Sequence, residues 1–293
     1  MPYLVLVDKP QGITSFGAVA ALRKKLNEKR IGHTGTLDPM ATGVLPLLTG
    51  RASRLCSIML DSEKEYIAAV RLGITTDTLD ITGKTLSQTP VPSITDDELL
   101  GVLKSFCGNI LQIPPMYSAI KKDGKRLYRL ARDGVEVERA PREVTVFSIE
   151  LLNRDSNTDF TFSVRCSKGT YVRSLCDDIG KALGTGAVLT ALRRTYAAGF
   201  NIKDCTPLDD IMKSDDDSFL KSPELCVKHL KEVFVSEAQA ARFRHGGQLS
   251  FNRLGKTEFL KNGELLRVKL GCEFLGIGEA DLEKEELKVK FIL

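Results

Sequence analysis

Residues 32–47 read GHTGTLDPMATGVLPL and hold one acid, Asp38, among glycines, threonines and apolar side chains. It is the only carboxylate between Glu28 and Asp61, and the charged residues around it, Lys29, Arg30, Arg51 and Arg54, are basic. One use of such a residue is an Asp-Pro turn, in which the side chain accepts local backbone hydrogen bonds. The other is an isolated nucleophile. Gly32, Gly35 and Gly43 permit backbone paths and close approaches that other residues forbid. Pro39 keeps Asp38 out of the helical region and so fixes how its carboxylate projects. The apolar VLPLL that follows can exclude water. With no second carboxylate close in sequence, no like charge is expected to raise its pKa, and it should stay ionised. A fixed, poorly hydrated carboxylate is competent as a nucleophile. These residues alone leave turn and nucleophile both open.

Other chemistries lack their residues. GKT occurs at 83–85 and 255–257, but the first glycine of a phosphate-binding loop is replaced by Thr78 and Ser250. GTGAVL (184–189) lacks the third glycine of a dinucleotide fingerprint. His33, His229 and His245 are too scattered for a zinc-protease helix, and no nucleophile elbow or zinc-deaminase signature occurs. The seven cysteines form an odd set without a C-x-x-C pair. That argues for reduced thiols in the cytoplasm and against a disulfide framework or zinc site. No metal, nucleotide or redox cofactor is therefore expected, and a reaction must run on side chains alone. No apolar run approaches the roughly 18–20 residues of a membrane span. The opening MPYLVLVDKPQG has no basic n-region and is not read as a signal peptide.

The elements that must position Asp38 follow from periodicity. YLVLVDKP predicts a strand ending at Pro10. SFGAVAALRKKLN predicts a helix with Ser15 as N-cap and an apolar face of Phe16, Val19, Ala20, Leu22 and Leu26. RASRLCSIML reads as a second helix and EYIAAVRLG as a strand. TDDELLGVLKSFCG starts with a capping box, Thr95 to Glu98, and stops at Gly108. EVTVFSIELL and DFTFSVRCS alternate as an antiparallel hairpin across NRDSNT. TYVRSLCDDIGKALG is an amphipathic helix burying Val172, Leu175, Cys176, Ile179 and Leu183, and AVLTALRRTYAAGF returns as a strand. KSDDDSFLKSPE (213–224) reads as a connector. A capping box at Ser236 and Gln239 then precedes short strands at LLRVKL, EFLGIGEA and LKVKFIL. The class is α+β, with a body over residues 1–230 and a small, mostly β tail over residues 231–293.

Net charge is only +4, but it is unevenly spread. AIKKDGKRLYRLAR (119–132) carries Lys121, Lys122, Lys125, Arg126, Arg129 and Arg132 against one acid, with Tyr128 among them. Such a block suits a polyanion lying across one face, and equally a solvated helix or hairpin.

GHTGTLDPMATGVLPL, the leading DKPQGITSF, and the later EKEYIAAVRLG, CSKGTYVRSLCDDIG and LRRTYAAGF together resemble the successive motifs of the TruB family of tRNA pseudouridine synthases. They stand in family order and cover residues 5–200 almost continuously. The tail resembles a PUA-type RNA-binding domain. The resemblance implies a mixed, mainly antiparallel pseudouridine-synthase sheet flanked by helices, with an RNA-contacting insertion at 110–145. It implies an isomerase that breaks the N-glycosidic bond of the T-loop uridine, tRNA position 55, turns the uracil and rejoins it through carbon. The bond energies nearly cancel, so neither ATP nor a redox cofactor is required.

By the same resemblance Asp38 is the nucleophile, and Arg173 in KGTYVRS pairs with it, a contact that a guanidinium can make bidentately. Tyr66 in EKEY stacks on the target base and is a candidate for removing the C5 proton. Tyr171 is a second aromatic at the site, Leu192 a pocket wall, and His33 stacks where the flipped base left the loop. Lys9 in DKP supports fold and site. Flipping costs a few kcal/mol of unstacking, which the receiving aromatics offset. The basic residues of 119–132, with Arg193 and Arg194, are expected to hold stem phosphates, and Arg242, Arg244 and His245 to reach the acceptor end. The expected partner is the tRNA T-arm, bound by a monomer with no guide RNA and no membrane. A tRNA-folding chaperone is the rival reading of another class.

Overall fold

The computed structural model describes residues 2–59, 63–118, 120–122, 124–254 and 260–293. Strand β1 (Leu4–Lys9) is followed by helix α1 (Ser15–Leu26), β2 (Ile31–His33), β3 (Thr42–Thr49), α2 (Cys56–Met59) and β4 (Lys64–Leu72). A small hairpin, β5 (Ile74–Thr76) and β6 (Thr85–Gln88), leads to α3 (Asp96–Ser105) and β7 (Gly108–Gln112). The short pair β8 (Lys121–Lys122) and β9 (Lys125–Arg126) precedes α4 (Leu127–Arg132). Then come β10 (Arg142–Arg154), β11 (Asp159–Cys166), α5 (Val172–Ala182), β12 (Ala187–Ala197) and β13 (Phe200–Asn201). After β14 (Thr206–Pro207), α6 (Leu208–Lys213) and β15 (Leu220–Lys221), the chain enters β16 (Lys231–Phe234), α7 (Glu237–Arg244), β17 (Leu249–Ser250), β18 (Leu265–Leu270), β19 (Glu273–Asp281) and β20 (Glu286–Ile292).

Eleven strands among the described residues form one mixed sheet in the order β14-β1-β3-β12-β4-β11-β10-β7, with β13 paired to β12, β15 to β1 and β2 to β3. Most pairs are antiparallel; β1–β14 and β3–β12 are parallel. This is the mixed, mainly antiparallel sheet expected. One face of the sheet buries Val5, Val7, Leu45, Leu47, Ala68, Val70, Phe162 and Val164 against Val19 and Leu22 of α1, Leu99 and Leu103 of α3, and Leu175 and Ile179 of α5. On the other face Leu4, Leu6, Val44 and Leu48 pack with Ile277 and Phe291 of the second sheet, β16-β18-β19-β20-β17. The tail thus shares a core with the body, and it encloses a core of its own around Phe243, Val268 and Leu287.

The capping boxes at Thr95–Glu98 and Ser236–Gln239 are present as read. The start of α1 differs. Thr14, not Ser15, caps it, accepting from Gly17 N–H, while Phe16 is 62% exposed and Ala20 is also exposed. Ser15 turns inward for another purpose, given below. RASRLCSIML is a 3-10 turn (Gly50–Leu55) followed by the single turn α2. The supposed connector is stitched to the body: Leu220 and Lys221 pair with Val5 and Leu4, and Phe219 is buried. VLPLL is strand β3, central despite Pro46. The outer edge of β3 pairs with β12 at Thr42–Gly43 and with β2 at Leu47–Thr49, so Pro46 lies where that edge needs no ladder donor.

Candidate active site

The loop between β2 and β3 carries Asp38 and is held from three sides. Ser15 Oγ accepts from Leu37 N–H (2.8 Å) and donates to Leu37 C=O (3.1 Å). Gly12 N–H donates to Pro39 C=O, and Ala41 N–H to Asp38 C=O. Arg194 closes the third side, as described below. At Gly43, φ is +108°, and a Cβ there would lie 2.2 Å from the Arg194 carbonyl oxygen. Gly43→Ala combines left-handed strain with a backbone clash and is expected to cost at least about 2 kcal/mol of unfolding free energy, measured by urea denaturation.

Across from this loop stands the first turn of α5. Gln112 at the end of β7 clamps its N-terminus, accepting from Tyr171 N–H (2.7 Å) and donating to Tyr171 C=O (3.0 Å). Arg173, buried, then points at Asp38, with Nε 2.9 Å from Oδ2. The other two nitrogens donate to carbonyls, Nη1 to Thr78 (2.8 Å) and Nη2 to Tyr117 (2.8 Å). The contact is therefore a single charged hydrogen bond; the bidentate arrangement is replaced because two backbone oxygens occupy the fork.

Asp38 is also not alone. Asp80 Oδ2 lies 3.7 Å from Arg173 Nη1, so Arg173 sits between two carboxylates. The Asp80 Oδ1 accepts from Thr78 Oγ1 (2.9 Å), Thr82 N–H (3.0 Å) and Thr82 Oγ1 (2.5 Å). The turn that presents it is tied to β12 by Ile81 N–H to Leu189 C=O and Leu189 N–H to Leu79 C=O, with Leu79 at φ +62°. Sequence reasoning missed Asp80, which stands 42 positions from Asp38. Its trace is T-D-T-L-D-I-T-G, an acid flanked by threonines that can satisfy it.

Charge and burial set the protonation of the nucleophile candidate. Burial pushes the Asp38 carboxyl above the ordinary carboxylate range; Arg173 pulls it back, Asp80 adds to the rise, and Lys9 opposes it. The expectation that no like charge raises it is corrected by Asp80, and burial adds the larger rise. Yet 35% of the side chain remains exposed, against 5% for Arg173, so the Asp38 side chain is not closed off. Lys9 is buried and donates to the Pro10 and Ile13 carbonyls (2.8 Å each). Burial lowers its pKa to about 8, with Asp38 opposing and Arg194 assisting.

Tyr66 lies on the helix-facing side of β4, 7% exposed, within the electrostatic reach of Asp38. Leu192, opposite Ala68 on β12, is buried beside it. Tyr171 is half-buried and feels both Arg173 and Asp38. His33, on β2, is half-buried with its Nδ1 unpartnered, and burial and Arg194 lower its pKa. Lys9, Tyr66, Tyr171 and Arg173, distant in sequence, thus share the surroundings of Asp38, whereas His33 is tied to Arg194.

The phosphate-binding expectations fare differently. Arg194 is 1% exposed and cannot meet a phosphate: adjacent strand residues face opposite sides, and Arg194 faces the core. Arg193 faces outward, 41% exposed, and pairs with Asp8 (2.7 Å). Lys125 and Arg129 are exposed, whereas the side chains of Lys121, Lys122, Arg126 and Arg132 lie outside the described residues. In the tail Arg244 pairs with Glu273 (2.7 Å), and Arg242 Nε donates to Gln248 C=O (2.7 Å). Among the described residues no cluster of His, Cys, Asp and Glu could hold a metal, and no helix is long and apolar enough to cross a membrane.

The chain's similarity to known proteins is specific. Residues 23–172 match the model of the TruB family pseudouridylate synthase N-terminal domain, and residues 173–227 that of the tRNA pseudouridylate synthase B C-terminal domain. A tRNA pseudouridine synthase B of Clostridium tetani (strain Massachusetts / E88) is 40% identical over 291 residues, 99% of each chain. One from Azoarcus sp. (strain BH72) is 44% identical over 279 residues, 94% of this chain and 90% of the relative. Among solved structures, a Cbf5-Nop10-Gar1 complex aligns with TM-score 0.73 and 30% identity, covering 99% of this chain and 84% of the other. The chain belongs to the TruB family of pseudouridylate synthases, isomerases of tRNA uridine.

Proposed function

We propose that this protein isomerises the T-loop uridine of tRNA, position 55, acting in the cytoplasm as a monomer and without a guide RNA, with Asp38 as its nucleophile. The observation that carries this reading is the Asp38–Arg173 contact at 2.9 Å, in which a buried cation holds a carboxylate that stays open to substrate on one side. Tyr66 and Tyr171 offer aromatic surface for a flipped uracil, and Leu192 an apolar wall. Because the base never leaves the site, one nucleophilic carboxylate suffices where glycoside hydrolysis needs a second as acid. The nearby Asp80 does not fill that second role in this scheme: its Oδ1 is saturated by Thr78 and Thr82, and Arg173 lies between it and Asp38.

Affinity comes from cations outside the pocket. Lys125 and Arg129 in the 110–145 insertion of the body, and Arg242 and Arg244 on the PUA-like tail of residues 231–293, are exposed and suited to phosphates along the T-arm and toward the acceptor end. The test is to incubate the protein with an unmodified T-arm stem-loop, with neither guide RNA nor cofactor, and to map pseudouridine by chemical primer-extension stops. A single stop at the T-loop uridine is expected, with binding that weakens steeply as salt rises. Absence of a stop with RNA bound, or a requirement for a second RNA, would remove the reading.

A further inference from the structure

Arg194 heads the fully buried side chains by size among the described residues. Its Nε donates to the Val44 carbonyl (2.8 Å), Nη2 to that of Gly35 (3.1 Å) and Nη1 to that of Thr36 (3.4 Å). A guanidinium has five N–H donors, and these contacts use three. All three acceptors are neutral, so the cation keeps its full charge inside the protein. Holding a loop by its carbonyls needs donors but not charge, and a buried charge without a function is expensive.

The neighbour across the ladder supplies the function. Arg194 and Tyr66 are direct partners in the antiparallel pairing of β12 with β4, on the same face, where side chains lie about 5 Å apart at Cβ. Burial pushes the Tyr66 phenol well up from its ordinary value; the Arg194 guanidinium opposes this by charge and by a hydrogen bond, while Cys166 and Asp38 add to the rise. Facing Arg194 itself are Lys9 and His33, whose pKa values it helps to lower.

We propose that Arg194 is a positioning residue for the proton-transfer half of the reaction: it aims the Tyr66 oxygen at the C5 proton and supplies the positive charge that a tyrosine phenolate needs. This rests on the isomerase reading above and deepens it. After C5 of the uracil has bonded to the sugar C1′, C5 carries both that bond and its hydrogen, and N1 is doubly bonded to C6. The phenolate takes the proton; the C–H electron pair re-forms the C5–C6 double bond; the N1–C6 π pair returns to N1, which takes a proton from water. Arg194 thus holds Gly35 and Thr36 of the Asp38 loop, and Val44 beyond it, while lying directly across the ladder from the base.

The experiment uses single turnover of a T-arm stem-loop carrying either protium or deuterium at C5 of the target uridine, with folding checked by near-ultraviolet circular dichroism. Wild-type turnover must be present, and its absence would sink the isomerase reading itself. In Arg194→Gln the rate is expected to fall roughly 10²-fold, the size of a general-base contribution. RNA affinity should be unchanged, and the C5 isotope effect larger than in wild type. Arg194→Lys, which keeps the charge, should recover at least about a tenth of the wild-type rate, still with a raised isotope effect. Equal losses in both variants with the isotope effect at its wild-type value would overturn the proposal, since only the Asp38 step would have suffered. Should Arg194→Gln fail to fold, the isotope effect of Arg194→Lys decides. A lysine variant that also fails to fold overturns the proposal, leaving Arg194 a residue of the fold alone.

Discussion

Asp38→Asn is expected to bind the T-arm within about twofold of wild type and to make no pseudouridine, a loss of at least about 10⁴ in single-turnover rate. The change is isosteric, and the backbone bonds that hold residues 35–41 do not involve the carboxylate. Affinity resides in phosphate contacts made elsewhere, so binding and chemistry should separate cleanly. Filter binding and primer-extension mapping on the same preparation read both quantities. A chaperone whose benefit is tRNA folding would be untouched by the substitution.

Removing Arg173 is expected to be nearly as severe, and to leave a signature in pH. Arg173→Met leaves Asp38 and Asp80 without the cation between them, so the carboxyl of Asp38, already raised by burial, rises further. A nucleophile acts ionised: activity is present above its pKa and is lost as pH falls through it. The acid limb of the rate profile must therefore move to higher pH in the variant, with Lys9 as the remaining cation acting on Asp38. At neutral pH the rate should fall about 10³-fold, and raising the pH should recover part of it. Arg173→Lys keeps a charge but cannot reach Asp38 and both the Thr78 and Tyr117 carbonyls at once, so an intermediate loss is expected. Stopped-flow or quench rates between about pH 5 and pH 9 measure the limb. An acid limb that stays in place would mean that Arg173 does not govern the charge of Asp38.

The parts of the molecule that were legible in the sequence are those fixed by short-range chemistry. Capping boxes located α3 and α7, and alternation located β10 and β11, because both signals are complete within a few residues. Asp38 was legible because an acid in an uncharged, glycine-punctuated loop is locally odd. Arg173, Tyr66 and Tyr171 were named through family motifs, since their relation to Asp38 exists only after β4 and α5 are assembled. Asp80 was invisible for the same reason: its distance from Asp38 is created by pairing β12 against the turn before β6. Arg193 and Arg194 show how charge alone misleads. Two adjacent arginines look like one basic patch, yet strand geometry turns one to Asp8 at the surface and buries the other beneath the Asp38 loop. Ser15 misled in another way. A serine at a helix start is usually a cap, but Thr14 takes that position, and Ser15 ties α1 to Leu37.

The most direct measurement of the central claim is tritium release from a T-arm stem-loop labelled with [5-³H]uridine at the T-loop position alone. Isomerisation through C5 must expel that hydrogen to water. With wild-type protein, and no other RNA or cofactor, one tritium per RNA should be released; with Asp38→Asn at the same bound fraction, none. Release by Asp38→Asn within about tenfold of the wild-type rate, or no release by wild-type protein holding its RNA, would contradict the account.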